Sequence, residues 1–323
     1  MAIEKSTEKK DLTKIKCAKK MRDIMTTYYL DALSARQNGK KVAWITSGGP
    51  VEPLLAMDII PVYPENHGAM IGASKMSKAL CRESVQMGYS PDLCSYARAD
   101  IACAVVKGGP IGGLPEPDML ICCNNICSTV IKWYEIQARL YDVPLFILDT
   151  PLCHTGYTSE IAAYVRSQID DYIVFLEKVT RKRFDLDRLE SIGRRSIHAQ
   201  QLWQKVLNTC ASRPAPMSAF DAFFFLALIV TLRGTTEVID FYSELLEEME
   251  NRINSGIGKV PNEKYRLLWD NLPIWFHLKW LSNAFQAHHA CLVADTYTSA
   301  WCSALDYLDE SDFLNSMAQA YTR

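Results

Sequence analysis

Residues 41–50 read KVAWITSGGP, a short run of β-branched and aromatic residues followed by a Ser-Gly-Gly-Pro turn. The run predicts a buried strand, because such side chains suit a pleated sheet and the glycines and proline end regular structure. After the turn, residues 51–58 can form a helix and residues 59–62 can form a second strand. This order of strand, helix and strand is typical of a parallel sheet.

The same alternation continues towards the middle of the chain. Residues 118–121 and 144–148 are mostly apolar runs of strand length, and the segment between them has apolar residues at helical spacing. Strands that helices cover on both faces have this composition. We therefore predict a first α/β lobe at residues 41–158, preceded by a helical N-terminal segment at residues 1–40.

The next hydrophobic pattern is helical. From Ser159, a candidate N-cap, apolar residues recur every three or four positions, and further helical runs begin at Asp185 and Ser218. The last of these runs stops at the glycines near residue 256. The sequence therefore predicts a helical middle segment at residues 159–262.

The α/β pattern returns at residues 263–323. Residues 265–269 and 290–294 are predicted strands, with a predicted helix at residues 275–288 between them. Two strands are fewer than an independently stable sheet usually needs, so we expect this lobe to continue beyond Arg323. The predicted fold class is α/β, with two Rossmann-like parallel-sheet lobes linked by a helical middle segment and the second lobe incomplete.

Charge and hydropathy exclude two classes of partner. The chain has 323 residues and a formal net charge of -2, so it lacks the basic surface that binds nucleic acid. The Lys-rich N-terminus has no apolar run typical of a signal peptide, and the longest apolar stretch, residues 222–232, falls short of the roughly 20 residues that span a bilayer. We predict a cytoplasmic protein without a nucleic-acid or membrane partner.

Eleven cysteines are the chemically informative residues. Without an export signal they are expected to stay reduced, and such cysteines often serve metals or catalysis. Cys122, Cys123 and Cys127 follow the predicted strand at residues 118–121, where ligands bind in open sheets. Cys94 precedes a predicted helix, whose dipole favours a thiolate. The other cysteines are interpreted as structural: Cys17, Cys81, Cys103, Cys153, Cys210, Cys291 and Cys302.

The spacing of these cysteines favours some metal sites over others. Zinc sites usually pair their cysteines in C-x-x-C units, which this chain lacks. Cysteines dispersed over several loops suit an iron–sulfur cluster better. The alternative is that the cysteines near residue 122 are small buried hydrophobes, and the sequence alone leaves both possibilities open.

Other polar residues give weaker signals. The turn at residues 47–50 matches neither the dinucleotide fingerprint nor the P-loop. Ser47 in that turn and Glu52 in the helix after it are retained as catalytic candidates, although a role in stabilising the helix dipole is favoured for Glu52. His67, His154 and His198 have no carboxylate or thiol partner at a telling spacing and are interpreted as surface or core residues. The glycine-rich loop at residues 107–113 either lets a long ligand approach the backbone or only connects two elements.

Several motifs taken together resemble one enzyme family. They are DLCSYARAD at residues 92–100, PDML at 117–120 with CNNIC at 123–127, KWYE at 132–135, LRGT at 232–235, EKYRL at 263–267 and ADTYT at 294–298. These motifs are similar to those of the family that includes benzoyl-CoA reductase and the 2-hydroxyacyl-CoA dehydratases. The likeness runs through nearly the whole chain.

This resemblance implies a cofactor and its ligands. Each subunit of the family holds one [4Fe-4S] cluster on three cysteines in a cleft between α/β lobes, with the acyl-CoA substrate beside it. Cys94 matches the first family cysteine. The second corresponds to Cys123 or to Cys127, with Cys127 slightly favoured, and the third is expected beyond Arg323.

The resemblance also implies partners and a reaction. One-electron reduction of a thioester needs a very low potential, which some iron–sulfur clusters reach and nicotinamide does not. The family uses a homologous sister subunit, a separate ATP-hydrolysing iron–sulfur activator and a ferredoxin-type donor. The motifs at residues 233–235 and 263–267 lead us to predict benzoyl-CoA reduction. The alternatives are an (R)-2-hydroxyacyl-CoA dehydratase subunit and a non-catalytic scaffold subunit.

Overall fold

The computed structural model describes residues 14–151, 158–302 and 312–321. Four parallel strands form its first sheet, in the spatial order β2-β1-β3-β4. They are β1 (Val42–Ile45), β2 (Ile60–Val62), β3 (Met119–Cys123) and β4 (Leu145–Leu148). Each lies where the sequence predicted a strand, so the predicted α/β class is confirmed. β3 is longer than predicted, and Cys122 and Cys123 belong to the strand itself.

Six helices accompany this sheet in the chain. They are α1 (Cys17–Ser34), α2 (Glu52–Ala56), α3 (Pro64–Ala73), α4 (Ser77–Gln86), α5 (Ser95–Val106) and α6 (Ser128–Tyr141). α2 occupies the predicted position between β1 and β2, and α6 lies between β3 and β4, as the helical spacing there predicted. Parallel strands need such crossovers, because each strand must return to the same end of the sheet.

The two central strands are buried on both faces. Side chains alternate along a strand, so β1 and β3 contribute to two separate hydrophobic layers. One layer, which faces the helical segment, contains Ala43, Ile45, Met119 and Ile121. The other, which faces α5 and α6, contains Val42, Trp44, Leu120 and Cys122. At roughly 1.5–3 kcal/mol for each large side chain removed from water, this burial holds β1 and β3 at the centre of the sheet.

The middle of the chain is helical, as predicted. It forms α7 (Ser159–Thr180), α8 (Leu186–Asn208), α9 (Ala219–Thr231) and α10 (Thr236–Asn254). The predicted N-cap at Ser159 is wrong by one residue, because the Thr158 hydroxyl accepts the Ile161 N–H. The run predicted as one block from Ser218 is two helices, which the turn at Gly234 separates. A Cβ at Gly234 would lie 2.8 Å from Ile192, so only glycine fits this turn.

A second, smaller sheet holds two parallel strands among the described residues, β5 (Tyr265–Trp269) and β6 (Ala290–Asp295). Between them lie a single 3-10 turn at Trp275–His277 and α11 (Leu278–Ala287), where one helix was predicted. The short α12 (Thr296–Ser299) and α13 (Phe313–Ala320) follow. α13 packs on α7 and α8 next to the first sheet.

Among the helices that the structure describes, none is both long enough and apolar enough to cross a bilayer. The apolar stretch at residues 222–232 forms most of α9, which is buried in the protein core.

Candidate functional site

The carboxyl ends of β1 and β3 lie side by side at one edge of the first sheet. Thr46 joins them: its N–H donates to Ile121 O at 3.1 Å, and its Oγ1 accepts the Cys123 N–H at 3.1 Å. A Cβ on Gly48 would lie 3.5 Å from the Ile126 side chain. The turn after β1 and the loop after β3 therefore meet at the edge where open α/β sheets bind ligands.

Glu65 is an acidic residue at the same edge. It lies in the first turn of α3, directly after β2, and is partly buried. Its Oε1 accepts the Ser47 N–H at 3.1 Å, and its Oε2 accepts the Tyr134 hydroxyl at 3.0 Å. Desolvation raises the pKa of Glu65 to about 7, and the two hydrogen bonds only partly oppose this rise. A carboxyl with this pKa can both donate and accept a proton near neutral pH.

Ser47, a catalytic candidate from the sequence, lies next to this carboxylate. Its backbone N–H is used by Glu65, whereas its side-chain oxygen is buried and has no hydrogen-bond partner among the described residues. A buried hydroxyl without a partner is unfavourable unless something else satisfies it. Ser47 and Glu65 therefore form a small polar pair that can present a hydroxyl and a titratable carboxyl to a ligand.

Two exposed thiols lie at helix N-termini. Cys94 is the N-cap residue of α5, and Cys127 is the N-cap residue of α6. Both are free and exposed. The partial positive charge at a helix N-terminus favours a thiolate over a thiol. These two cysteines are thus the described candidates best suited to bind a metal as thiolates.

α5 and α6 run in the same direction, which brings these cysteines to the same end of the helix pair. Halfway along, Asp100 of α5 accepts hydrogen bonds from Trp133 and Gln137 of α6. At the C-terminal ends, Cys103 and Tyr141 line one small cavity. Because the middle of α5 contacts the middle of α6, and residues towards their C-terminal ends share a cavity, the N-terminal ends of the two helices lie on the same side.

Cys123, the alternative second ligand, has a different environment. It is the last residue of β3, is fully buried, and desolvation raises the pKa of its thiol to about 12. Its neighbour Cys122 points into the opposite hydrophobic layer, and burial raises its pKa further. Both thiols favour the protonated form, which is a poor metal ligand.

Among the remaining cysteines, the Cys81 thiol contacts the Ser95 carbonyl oxygen at the start of α5, and the Cys210 and Cys291 thiols both contact the Met217 carbonyl oxygen. In the described parts of the chain no group of three or more His, Cys, Asp or Glu side chains is placed to hold a metal ion. Cys17 and Cys81 are half-buried, whereas Cys103, Cys210, Cys291 and Cys302 are buried. The structural interpretation of Cys153 falls on a residue outside the described ones.

Glu52, the other catalytic candidate, is held in a buried ion pair. Its Oε1 accepts the Arg233 Nε–H at 3.0 Å, and both side chains are less than 5% exposed. Arg233 also donates to the carbonyl oxygen of Gly49 at 2.9 Å. The pair ties the turn after β1 to the loop between α9 and α10, and the sequence analysis did not predict it because 181 residues separate the partners.

The histidines give one correction. His67 was interpreted as having no carboxylate partner, but its Nδ1 lies 2.7 Å from Asp100 Oδ1 in the protein interior. The partner is 33 residues away and on another helix, so sequence spacing does not reveal it. His198 is exposed on α8, as a surface histidine should be. His154 lies outside the described residues.

Glu65 is the candidate that the sequence analysis missed. One signal could have found it: residues 59–62 were predicted as a strand, and Glu65 follows that strand by three residues. Since parallel strands share a carboxyl edge, an acid placed there belongs with Ser47.

The chain is similar in sequence to the subunits of one group of enzymes. The family model for "2-hydroxyglutaryl-CoA dehydratase, D-component" matches residues 46–323. The chain is 34% identical over 303 residues to the (R)-2-hydroxyisocaproyl-CoA dehydratase alpha subunit of Clostridioides difficile, which covers 93% of this chain and 73% of the relative. It is 31% identical to the (R)-phenyllactyl-CoA dehydratase alpha subunit of Clostridium sporogenes, over 94% and 75% of the two chains. A benzoyl-CoA reductase subunit of Thauera aromatica is 27% identical, over 86% and 68%.

These matches confirm the family resemblance and the predicted enzyme class, which allowed either a dehydratase or a reductase subunit. They reverse the order in which the sequence analysis ranked the reductase and the dehydratase. The predicted benzoyl-CoA reductase is the more distant match, and the dehydratase, given as the alternative, is the better supported. Each of these relatives is named as one subunit of its enzyme, which agrees with the predicted sister subunit.

Proposed function

The chain belongs to the 2-hydroxyglutaryl-CoA dehydratase D-component family, and on this premise we propose that it is the alpha-type subunit of a 2-hydroxyacyl-CoA dehydratase. Such an enzyme removes the C2 hydroxyl and a C3 proton from its substrate and leaves an enoyl-CoA. Benzoyl-CoA reduction is the second candidate, supported by the 27% identity to a reductase subunit.

The structural observation that carries a catalytic role is the pairing of Glu65 with Ser47 at the carboxyl edge of the first sheet. Elimination of water needs a group that protonates the leaving hydroxyl and can be reprotonated afterwards. Glu65 suits this role because the pKa of its carboxyl is raised to about 7 and both of its hydrogen-bond donors are uncharged. The unpaired Ser47 hydroxyl can orient a polar group of the substrate next to it.

We further propose that Cys94 and Cys127 are two ligands of a [4Fe-4S] cluster. Both thiols are exposed at helix N-termini on the same end of the α5–α6 pair, which fits a metal-binding role. Cys123 fits this role less well, because it is buried and its thiol pKa is raised to about 12. When bound, a cluster of this kind supplies single electrons of low potential. The expected partners are a homologous sister subunit, an ATP-hydrolysing iron–sulfur activator and a ferredoxin-type donor.

Product analysis separates the candidate functions. The chain would be produced without air together with its sister subunit and activator, and given 2-hydroxyisocaproyl-CoA or benzoyl-CoA with ATP and a reductant. We expect an enoyl-CoA from the first substrate and no reaction of the second. A dearomatised product from benzoyl-CoA, with the hydroxyacyl-CoA unchanged, would establish the reductase instead.

Iron content tests the proposed ligands. Cys94→Ser and Cys127→Ser should each lower the iron bound to this subunit severalfold, because a lost thiolate ligand destabilises a cluster. Cys17→Ser, at a half-buried cysteine on α1, is the matched control and should retain full iron. Unchanged iron and unchanged turnover in both ligand variants would favour a scaffold subunit.

A further inference from the structure

A second group of reactive side chains lies at the opposite, C-terminal end of the α5–α6 pair. Cys103 Sγ of α5 lies 3.8 Å from His67 Nε2 of α3, and His67 Nδ1 lies 2.7 Å from Asp100 Oδ1 of α5. All three residues are buried. A thiol, an imidazole and a carboxylate in this order resemble the arrangement that activates nucleophilic cysteines.

The hydrogen bonds of Asp100 decide which ring nitrogen of His67 donates to it. Besides His67, Asp100 accepts the Trp133 Nε1–H at 2.9 Å and the Gln137 Nε2–H at 2.7 Å. A carboxylate oxygen can only accept, so each of these three contacts needs an N–H donor. His67 must therefore donate through Nδ1, and its Nε2 faces the sulfur.

Asp100 also makes His67 a stronger base. Burial alone would lower the pKa of His67, but the hydrogen bonds to Asp100 and Cys103 outweigh it and raise the pKa to about 9. At pH 7 a histidine with this pKa is mostly protonated, and an imidazolium beside a sulfur stabilises the thiolate form.

Two polar groups contact the Cys103 sulfur. Sγ lies against the carbonyl oxygen of Gly108, and His67 Nε2 lies 3.8 Å away. A thiol at this position donates to the carbonyl oxygen, and a thiolate accepts the Nε2–H of protonated His67. Either form of the sulfur thus has a partner.

A cavity of about 180 Å³ adjoins Cys103, His67 and Asp100. A water molecule occupies roughly 30 Å³ in the liquid, so the cavity admits a molecule with a few heavy atoms. Besides these three residues, the titratable groups that line the cavity are Lys107, Glu116 and Tyr141. Gly109 allows the glycine-rich loop to cover the sulfur: its φ is +111°, and a Cβ there would lie 2.4 Å from Sγ.

Cys210 and Cys291 are buried in different surroundings. Cys210 also lines a cavity, but its thiol contacts the Met217 carbonyl oxygen, and burial raises its pKa to about 12. Cys291 is similar, with a pKa raised to about 12 by burial. A thiol with such a pKa is almost entirely protonated at pH 7 and reacts slowly.

We propose that Cys103, His67 and Asp100 form a thiol-modification site that reacts with small neutral hydroperoxides. In the reaction the Cys103 thiolate, which accepts the Nε2–H of protonated His67, attacks one oxygen of hydrogen peroxide. An S–O bond forms and the O–O bond breaks. The leaving hydroxide takes the proton from His67, so the products are Cys103 sulfenic acid and water. The sulfur loses two electrons and the peroxide gains them. This site is independent of the proposed dehydratase activity.

The test is site-resolved labelling of the whole chain. Protein purified without air is treated with hydrogen peroxide at pH 7, sulfenic acids are trapped with dimedone, and each cysteine peptide is quantified by mass spectrometry. Cys103 should be labelled at least about tenfold faster than Cys210 and Cys291. His67→Gln should lower Cys103 labelling by at least about tenfold while Cys210 labelling stays unchanged. Equal labelling of Cys103 and Cys210 would overturn the proposal, and so would a His67→Gln variant that reacts like the wild type.

A second measurement needs no variant. The rate of an ordinary thiol below its pKa rises about tenfold for each pH unit. Because His67 stays protonated in this range and stabilises the thiolate, the labelling rate of Cys103 should change less than about threefold between pH 6.5 and 8. A tenfold rise per unit at Cys103 would contradict the proposal even if His67→Gln failed to fold.

Discussion

Two acidic residues of the first lobe occupy similar places but have different environments. Glu52 lies in the first turn of α2 after β1, and Glu65 lies in the first turn of α3 after β2. Glu52 is fully buried and paired with Arg233, whereas Glu65 is partly buried and held by two uncharged donors. A carboxylate buried with a cation is a fixed charge of the structure, while one desolvated without a cation can titrate near neutral pH.

The same contrast distinguishes the thiols. Cys94 and Cys127 are exposed at one end of the α5–α6 pair, while Cys103 is buried with a histidine at the other end. Cys122 and Cys123 are buried and have no basic partner in the parts of the chain that the structure describes, and burial raises their pKa values. In this protein the neighbours of a cysteine or an acid, more than its position in a motif, decide what chemistry it can perform.

The largest expected effect is on catalysis. Glu65→Gln removes the titratable proton but keeps the hydrogen-bond acceptor, so turnover of the 2-hydroxyacyl-CoA should fall about 100-fold or more. The unfolding midpoint in urea should change little. Glu83→Gln, at an exposed acid on α4, is the control and should retain full turnover. If Glu65→Gln kept wild-type turnover, the assignment of the proton-transferring group would be wrong.

The second-largest effect is expected on the unfolding free energy, and it concerns Glu52. Glu52→Gln leaves the Arg233 guanidinium buried without its counter-ion, which should lower the unfolding free energy by about 3–5 kcal/mol. Asp58→Asn breaks an exposed pair with Arg188 and should cost less than about 1 kcal/mol. Urea unfolding of the three proteins measures both values. A stable Glu52→Gln protein with lost turnover would reverse the roles of the two acids.

A smaller effect concerns the pH dependence of stability. The pKa of Glu65 is about 7 in the folded chain and 4.5 ordinarily, so the folded state holds the proton more tightly. Its stabilising contribution is complete below pH 4.5 and is lost as the pH rises through 7. Between pH 5 and 8 the wild type should therefore lose about 2 kcal/mol relative to Glu65→Gln, a value reduced for the partial exposure of the carboxyl. A constant difference between the two proteins would mean that the pKa is not raised.

The smallest effect is expected at Ser47. Ser47→Ala removes a buried oxygen that has no partner, so the unfolding free energy should change by less than about 1 kcal/mol. Turnover should fall about tenfold, because one hydrogen bond to the substrate is lost. Ser167→Ala, at an exposed serine on α7, controls for the loss of a hydroxyl. Unchanged kinetics in Ser47→Ala would remove Ser47 from the site.

The sequence predicted local structure better than it predicted which side chains contact each other. All four strands of the first sheet were found because KVAWIT and its counterparts carry their own apolar pattern and end in turns. Ser47 was retained because it lies at a strand exit, which is a local feature. The pairs Glu52–Arg233 and His67–Asp100 were missed, since tertiary packing joins them across 181 and 33 residues. The raised pKa of Glu65 was missed for the same reason, because desolvation depends on the surrounding fold.

The most direct test of the central contrast is an infrared titration of Glu65 in the wild-type chain, with Glu65→Gln as the reference. The difference spectrum should contain the C=O band of one protonated carboxyl at pH 5, and this band should disappear with a midpoint near pH 7. A Glu65 carboxyl that is already ionised at pH 5 would contradict the account.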